Sequence, residues 1–244
     1  MRAIAALVMV GLLGLPTSAS AAGRDRVGMT DPRNRVVAAA WVEGGYSIPG
    51  SLGYRTALFT LYVDGRLLTS GDVDVHGVPT YRIAQLNPTQ SRSLRVSFFR
   101  ATSGVVFGDV PVADVGYTRT RATMHGVVAW QRINALGMDT GLTSAQRQAR
   151  QRLQGVIDAA IARPSGAFAP TAYEVRRVRM DDPSIQVQWP GPRLPASECG
   201  TIGASAYAAF PAEFGQGSAY TWRGTAFALW VRPLLPGEAG CRGL

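Results

Sequence analysis

From Phe59 to Leu68 the chain reads Phe-Thr-Leu-Tyr-Val-Asp-Gly-Arg-Leu-Leu, two alternating segments on either side of Asp64-Gly65. Alternation of period two puts successive side chains on opposite faces of a strand. Asp-Gly between two such segments is the strongest short-range hairpin signal, because Gly65 accepts the positive φ that a type I′ turn demands. On this reading Phe59, Leu61 and Val63 share one face, and Leu68 joins them across the turn. A hairpin with one apolar face has to bury it under a second layer.

The covering layer is visible further along. Thr143 precedes an apolar-periodic run and Gln146 stands three residues after it, a capping box; Pro164 marks the other end. The helix expected over residues 144–162 carries Ala149, Leu153, Val156, Ile157, Ala160 and Ile161 on one face, with Arg147, Gln151, Gln154 and Asp158 opposite. Asn87-Pro88 reads as a second helix start, with Leu94, Phe98 and Ala101 at helical spacing. Strands are expected over residues 81–86 and 173–180. Hairpins are expected around His125-Gly126, within residues 115–131, and around Arg223-Gly224, between residues 220–222 and 225–231. Phe227, Leu229 and Val231 alternate with Ala226, Ala228 and Trp230, so that last strand is apolar on both faces and belongs in the interior of a sheet. A short helix is expected over residues 205–214.

Together these elements define an α+β fold: antiparallel hairpins forming a mixed sheet with helices packed on one face, as one body or as two similar small subdomains. Residues 23–53 read as an irregular lead-in with one short strand over residues 36–42. An N-terminal α+β subdomain then occupies residues 54–163, and a C-terminal one residues 171–244, separated by the Pro/Ser/Gly-bearing stretch from Pro164 to Pro170.

The first 22 residues have a different character. Arg2, an apolar run from Ala3 to Leu15 too short to span a bilayer, and small residues at Ala19 and Ala21 have the form of a secretory signal peptide, with cleavage expected after Ala21 or Ala22. No later apolar stretch approaches the length of a transmembrane helix. Export bears on the two cysteines, Cys199 and Cys241: in an oxidising compartment they are expected to pair. Closing a loop of about 40 residues removes unfolded-state entropy worth about 4 kcal/mol.

All 25 basic residues are arginine. The formal charge of +9 therefore partly reflects a GC-rich codon usage. The absence of lysine excludes Schiff-base chemistry, the phosphate-binding lysine of a P-loop and the Ser-x-x-Lys dyad. The two histidines, His76 and His125, each precede a glycine, which is a turn signature, and neither has a second ligand at zinc spacing. The approximations to a nucleophile elbow at Ser47 and Ser205 lack the final glycine. Asp72 and Asp74 alternate on a strand-like stretch without the spacing of a calcium loop. No catalytic residue, metal or cofactor is assigned on these grounds.

The surface feature with chemical content is the hairpin around His125-Gly126. With those residues as the turn, Arg121 lies opposite Trp130 and Arg119 opposite Arg132, and Tyr117 and Thr123 share their face. Guanidinium groups beside aromatic rings suit anionic or sugar-containing polymers, through charge, stacking and cation–π contact. The plainer alternative is a solvated face on which arginine stands in for lysine. Arg176, Arg177 and Arg179 pose the same choice.

From Tyr54 onward the chain resembles a group of uncharacterised exported proteins of GC-rich actinobacteria. The matching marks are the 59–66 hairpin, Asp114 before a Thr/Arg-rich strand, Gly141-Leu142-Thr143, Gln188-Trp189-Pro190, and Trp230-Val231-Arg232-Pro233-Leu234-Leu235-Pro236-Gly237-Glu238 before Cys241. Its first half is similar to a wider bacterial domain of unknown function built as hairpin, helix, hairpin, helix, from which the stretch between Arg66 and Thr80 departs. The resemblance implies export and fold and carries no activity. The expectation is thus a secreted or cell-wall-associated, non-enzymatic binding module. Its partner would be an anionic cell-envelope polymer or another envelope protein, not nucleic acid. The alternative is a hydrolase of cell-wall or extracellular polymer, acting through carboxylates that converge from distant segments.

Overall fold

The structure is a computed structural model that describes residues 31–44, 55–112, 115–163, 165–181, 185 and 187–241. The expected signal peptide lies outside the described residues. The chain runs η1 (Pro32–Asn34), β1 (Val36–Glu43), β2 (Arg55–Tyr62), β3 (Arg66–Val73), β4 (Pro79–Gln85), α1 (Pro88–Thr102), β5 (Tyr117–Met124) and β6 (Val127–Asn134). It continues through α2 (Ser144–Ile161), β7 (Gly166–Ala167), β8 (Ala172–Arg179), β9 (Cys199–Gly203), α3 (Ala204–Ala208), β10 (Ala219–Trp222) and β11 (Thr225–Pro233). The fold is α+β. The strands form a seven-stranded sheet in the order β6-β5-β1-β2-β3-β4-β7 and a four-stranded sheet in the order β10-β11-β8-β9. All pairings between these strands are antiparallel.

Both long helices start where local chemistry starts them. Asn87 and Thr143 each accept from the backbone N–H three residues on, and Gln90 and Gln146 return the bond, so two otherwise orphaned donors are satisfied at each end. Leu94, Phe98 and Ala101 of α1 and Ala149, Leu153, Ile157 and Ala160 of α2 pack on one face of the large sheet, against Phe59, Leu61 and Leu67. Each fully buried aliphatic or aromatic side chain there contributes about 1.5–3 kcal/mol.

The Asp64-Gly65 hairpin forms, but not with the expected turn. Gly65 N–H donates to Tyr62 O at 3.1 Å, Leu61 pairs with Leu67, and the turn holds three residues. Gly65 has φ +86° while Asp64 is not left-handed, whereas a type I′ turn requires positive φ at both. The extra residue slips the register by one and exchanges faces. Leu67, not Leu68, joins Phe59 and Leu61 under the helices, Leu68 packs with Tyr62, Tyr81 and Leu235 on the other face, and Val63 is exposed.

The one strand expected in the lead-in over residues 36–42 is β1, which ends at Glu43 and lies in the interior of the sheet, bonded to β2 on one side and β5 on the other. The stretch after Pro164 is not wholly a linker, since β7 adds to the edge at β4. In the four-stranded sheet β11 is interior, as its apolar faces required, and Phe227, Leu229 and Val231 are buried with Val175, Trp189, Tyr207 and Phe214. The expected 205–214 helix is shorter, five residues, and starts at Ala204. Cys199 and Cys241 are bonded, with Cα atoms 5.7 Å apart, so the end of the chain is fastened to β9. Among the described residues, no helix is long and apolar enough to cross a membrane.

Candidate functional site

One face of the large sheet lies under α1 and α2; the other is covered where Leu235 packs on Tyr62, Leu68 and Tyr81, and open along β5 and β6. In the β5–β6 hairpin His125 and Gly126 both have positive φ, 48° and 80°, the two-residue turn that pairs Met124 with Val127. Counting back, Arg121 lies opposite Trp130 and Arg119 opposite Arg132. Thr118, Thr120 and Ala122 are buried on the helix side, which leaves Tyr117, Arg119 and Arg121 to the open face with Trp130 and Arg132. The Arg121 guanidinium lies 5.3 Å from the Trp130 ring centroid and that of Arg132 3.4 Å from Tyr117. Trp130 is 55% exposed.

Residues not singled out from sequence complete this face. Trp41 of β1 is opposite Arg119 and meets Trp130 edge-on, with ring centroids 6.0 Å apart at 89°. Arg55 lies over Trp41 at 5.8 Å. Glu43 binds three neighbours: Arg55 at 2.7 Å, Arg119 at 2.5 Å, and the Trp41 indole N–H, which donates at 2.7 Å. This carboxylate holds two arginines and a tryptophan in fixed positions, with both its oxygens occupied.

Beside these groups lies a groove of about 310 Å³. Its floor is made of short side chains, Ala39, Ala57 and Thr60. One wall is Trp41, Trp130, Arg119 and Arg121; the other is Arg232 and the loop from Leu235 to Glu238, with the buried Tyr62 and Tyr81 beneath it. Burial pushes the Tyr81 phenol up to about 12 and raises that of Tyr62 as well, so both hydroxyls keep their protons.

The second wall belongs to the disulfide-closed end of the chain. Arg232 donates to Glu238 Oε2 at 2.7 Å and to Glu174 Oε2 at 2.9 Å. Glu238 also accepts from Leu235 N at 3.0 Å, which folds the loop on itself. Glu174, 2% exposed, further accepts from Arg176 Nε at 2.5 Å and Cys241 N at 2.8 Å. Burial alone would raise the Glu174 carboxyl, but Arg232, Arg176 and the Cys241 N–H outweigh it and hold the group below its ordinary range.

The arginines on this face therefore differ. Arg55 and Arg119 share Glu43, and Arg232 is held between Glu174 and Glu238. Arg121 has no carboxylate among the described residues, and its Nε is shut off from solvent without a hydrogen bond, as is that of Arg119 despite its ion pair with Glu43. A buried unmatched donor costs about 1–3 kcal/mol. Of the remaining arginines weighed from sequence, Arg176 is held by Glu174 and Arg177 by the carbonyls of Ala196 and Ser197 and the Trp222 ring, while Arg179 is exposed, 3.4 Å from Asp181.

His76 Nδ1 is 3.0 Å from Phe214 O, and its ring packs against Tyr207 and Phe214. Asp74 accepts from the N–H groups of His76 and Val78 and from the Tyr207 hydroxyl. Both residues pin the two sheets together. Among the described residues, metal-ligand side chains gather as a group of three at Glu174, Cys199 and Cys241, where the two sulfurs are bonded to each other. No family model matches the chain, and neither the curated proteins nor the solved structures contain a match to it.

Proposed function

We propose that this chain is an exported, non-enzymatic module of the cell envelope or extracellular space that binds an anionic, sugar-containing envelope polymer on its open sheet face. The observation that carries this reading is the convergence of Trp41, Trp130, Arg55, Arg119 and Arg121 along one groove, on the side of the sheet that the helices leave uncovered. Rings supply flat apolar contact and guanidinium groups supply charge, a combination used for anionic polymers. The carboxylate Glu43 is committed to positioning its neighbours, a role in a binding surface and not in acid–base chemistry.

Binding to purified envelope polymer tests the reading. Arg121→Ala combined with Trp130→Ala is compared with Arg100→Ala combined with Arg152→Ala, two exposed arginines on the helices. The first pair is expected to lose most of the affinity at about 0.15 M salt and the second to stay near wild type. Equal losses mean that the face is only part of a basic surface and defeat the reading.

A further inference from the structure

We propose that the groove is a subsite for one carboxylate-bearing sugar unit of an acidic polysaccharide, its carboxylate on Arg121 and its ring between the tryptophan wall and the wall formed by Arg232 and the Leu235–Glu238 loop. This inference rests on the binding reading above and narrows it to a ligand chemistry.

The first argument is the distribution of charge. Of the four arginines that line the groove, Arg55, Arg119 and Arg232 have carboxylate partners within 3 Å. Arg121 is held in place by the Trp130 ring, which attracts a cation without neutralising it. An incoming anion gains most at Arg121 and is flanked by Glu43 and Glu238. Such a site suits one oxyanion among neutral groups. It disfavours a run of closely spaced phosphates, which would be drawn past two fixed carboxylates.

The second argument is shape. Across the sheet from Arg121 the next residue in register is Ala39 and the next Thr60. Two small side chains in adjacent strands leave a depression next to the guanidinium, about 10 Å across at the usual strand spacing. At about 310 Å³ the groove is at the small end of ligand sites, room for a ring or two. The depression is bounded by Trp41 on one side. On the other stands the Leu235–Glu238 loop, over the buried Tyr81, whose hydroxyl accepts from Ala57 N at 3.2 Å. The flat apolar rings of Trp41 and Trp130 above a floor of small side chains match a saturated ring whose faces are C–H.

The third argument excludes a peptide taken up by strand addition. The floor strands β1 and β2 are each bonded on both edges, β1 to β2 and β5, β2 to β1 and β3. They have no free row of backbone groups to offer an extended chain. Recognition on this floor is by side chains.

The test titrates the mature, oxidised protein by calorimetry. The probes are an oligogalacturonate of three or four units, the same oligomer with its carboxyls methyl-esterified, a neutral oligosaccharide of equal ring number, and a poly(glycerol phosphate). The oligogalacturonate is expected to bind. Esterification and Arg121→Gln are each expected to weaken it at least about tenfold, and Arg121→Gln to cost the ester nothing further, since both remove one contact. Ala39→Leu, which fills the floor and leaves Arg121 in place, is expected to abolish binding, with circular dichroism confirming the fold. The subsite proposal is overturned if the ester binds as well as the acid, if Arg121→Gln leaves the acid's affinity unchanged, or if only the phosphate polymer binds. In the last case the broader reading of an anionic polymer stands. If none of the four probes binds and envelope polymer does not either, both readings fail.

Discussion

Replacing Cys241 by serine removes a cross-link whose effect follows from its place in the chain. The bond closes a separation of 42 residues, for which loop-closure entropy gives about 4 kcal/mol at 25 °C. The native contacts change little, because the hydrogen bond at this site comes from Cys241 N to Glu174, and a serine backbone keeps it. The loss therefore arises in the unfolded chain. It is also local. The bond joins β9 to the segment after β11, and the core it closes, around Trp189, Phe214 and Leu229, is separate from the core under α1 and α2. Native-state hydrogen exchange resolves the two. Amides of β8 and β11 are expected to lose protection by about 4 kcal/mol, roughly a thousandfold, and those of α1 and α2 distinctly less. Cys199→Ser is expected to cost the same, and the double variant no more than either single one. A loss under about 1 kcal/mol refutes the loop-closure reasoning, and an equal loss in both cores refutes its confinement to one sheet.

Other perturbations have equally defined outcomes. Arg150, 2% exposed, donates to the carbonyls of Phe107, Gly108, Asn134, Ala135 and Met138. Arg150→Met leaves the Phe107 and Asn134 carbonyls buried without this donor and is expected to cost about 3–5 kcal/mol in urea unfolding; a loss under about 1 kcal/mol means water replaces it. In Gly65→Ala the new Cβ would sit 2.6 Å from Leu86 O at φ +86°, so a loss of about 1–3 kcal/mol is expected, and a gain in melting temperature contradicts the turn geometry. Glu174 titrates below its ordinary range when folded, so its contribution is present above the unfolded carboxyl pKa of about 4.3 and is lost as pH falls through the lower folded value. Glu174→Gln is expected to flatten that acid limb; an unchanged limb places the pH dependence elsewhere.

What the sequence makes legible is whatever a few neighbouring residues decide. The Thr143–Gln146 capping box, the Asn87-Pro88 helix start, the His125-Gly126 turn and the Arg121–Trp130 register are each set within a single turn or hairpin, and each is present. Asp64-Gly65 is equally local, yet two turns compete for it. Asp64 Oδ1 accepts from Arg66 N at 3.1 Å, a bond that fits the three-residue turn and brings Val63 into it. Trp41 and Glu43 escape detection because β1 does not alternate: Val-Val-Ala-Ala-Ala has no polar face, and register shifts after Val36 and after Ala40 interrupt its period. Arg150 reads as one more basic residue on a helix, since the carbonyls that bury it are 12 to 43 residues away in sequence.

The candidate site shows the same division between local and distant determinants. Periodicity assigns an arginine to a face, and that much holds for Tyr117, Arg119, Arg121, Trp130 and Arg132. Whether the arginine is available to a ligand depends on which carboxylate reaches it, and those carboxylates come from other strands. Glu43 of β1 takes Arg119 of β5, while Glu174 of β8 takes Arg232 of β11. Glu238 reaches the groove because Arg232 and the Leu235 N–H fold its loop back toward the large sheet, and the Cys199–Cys241 bond fastens the segment that follows. The groove thus joins a hairpin whose register is written locally to a wall that exists only once the end of the chain is folded and fastened. If that is so, Cys241→Ser should weaken ligand binding along with stability, by loosening the Leu235–Glu238 wall. Glu238→Gln, which weakens the loop's tie to Arg232 and leaves the disulfide in place, should weaken binding with a much smaller loss of stability. Affinity that is unchanged in both variants would show that the wall takes no part in binding.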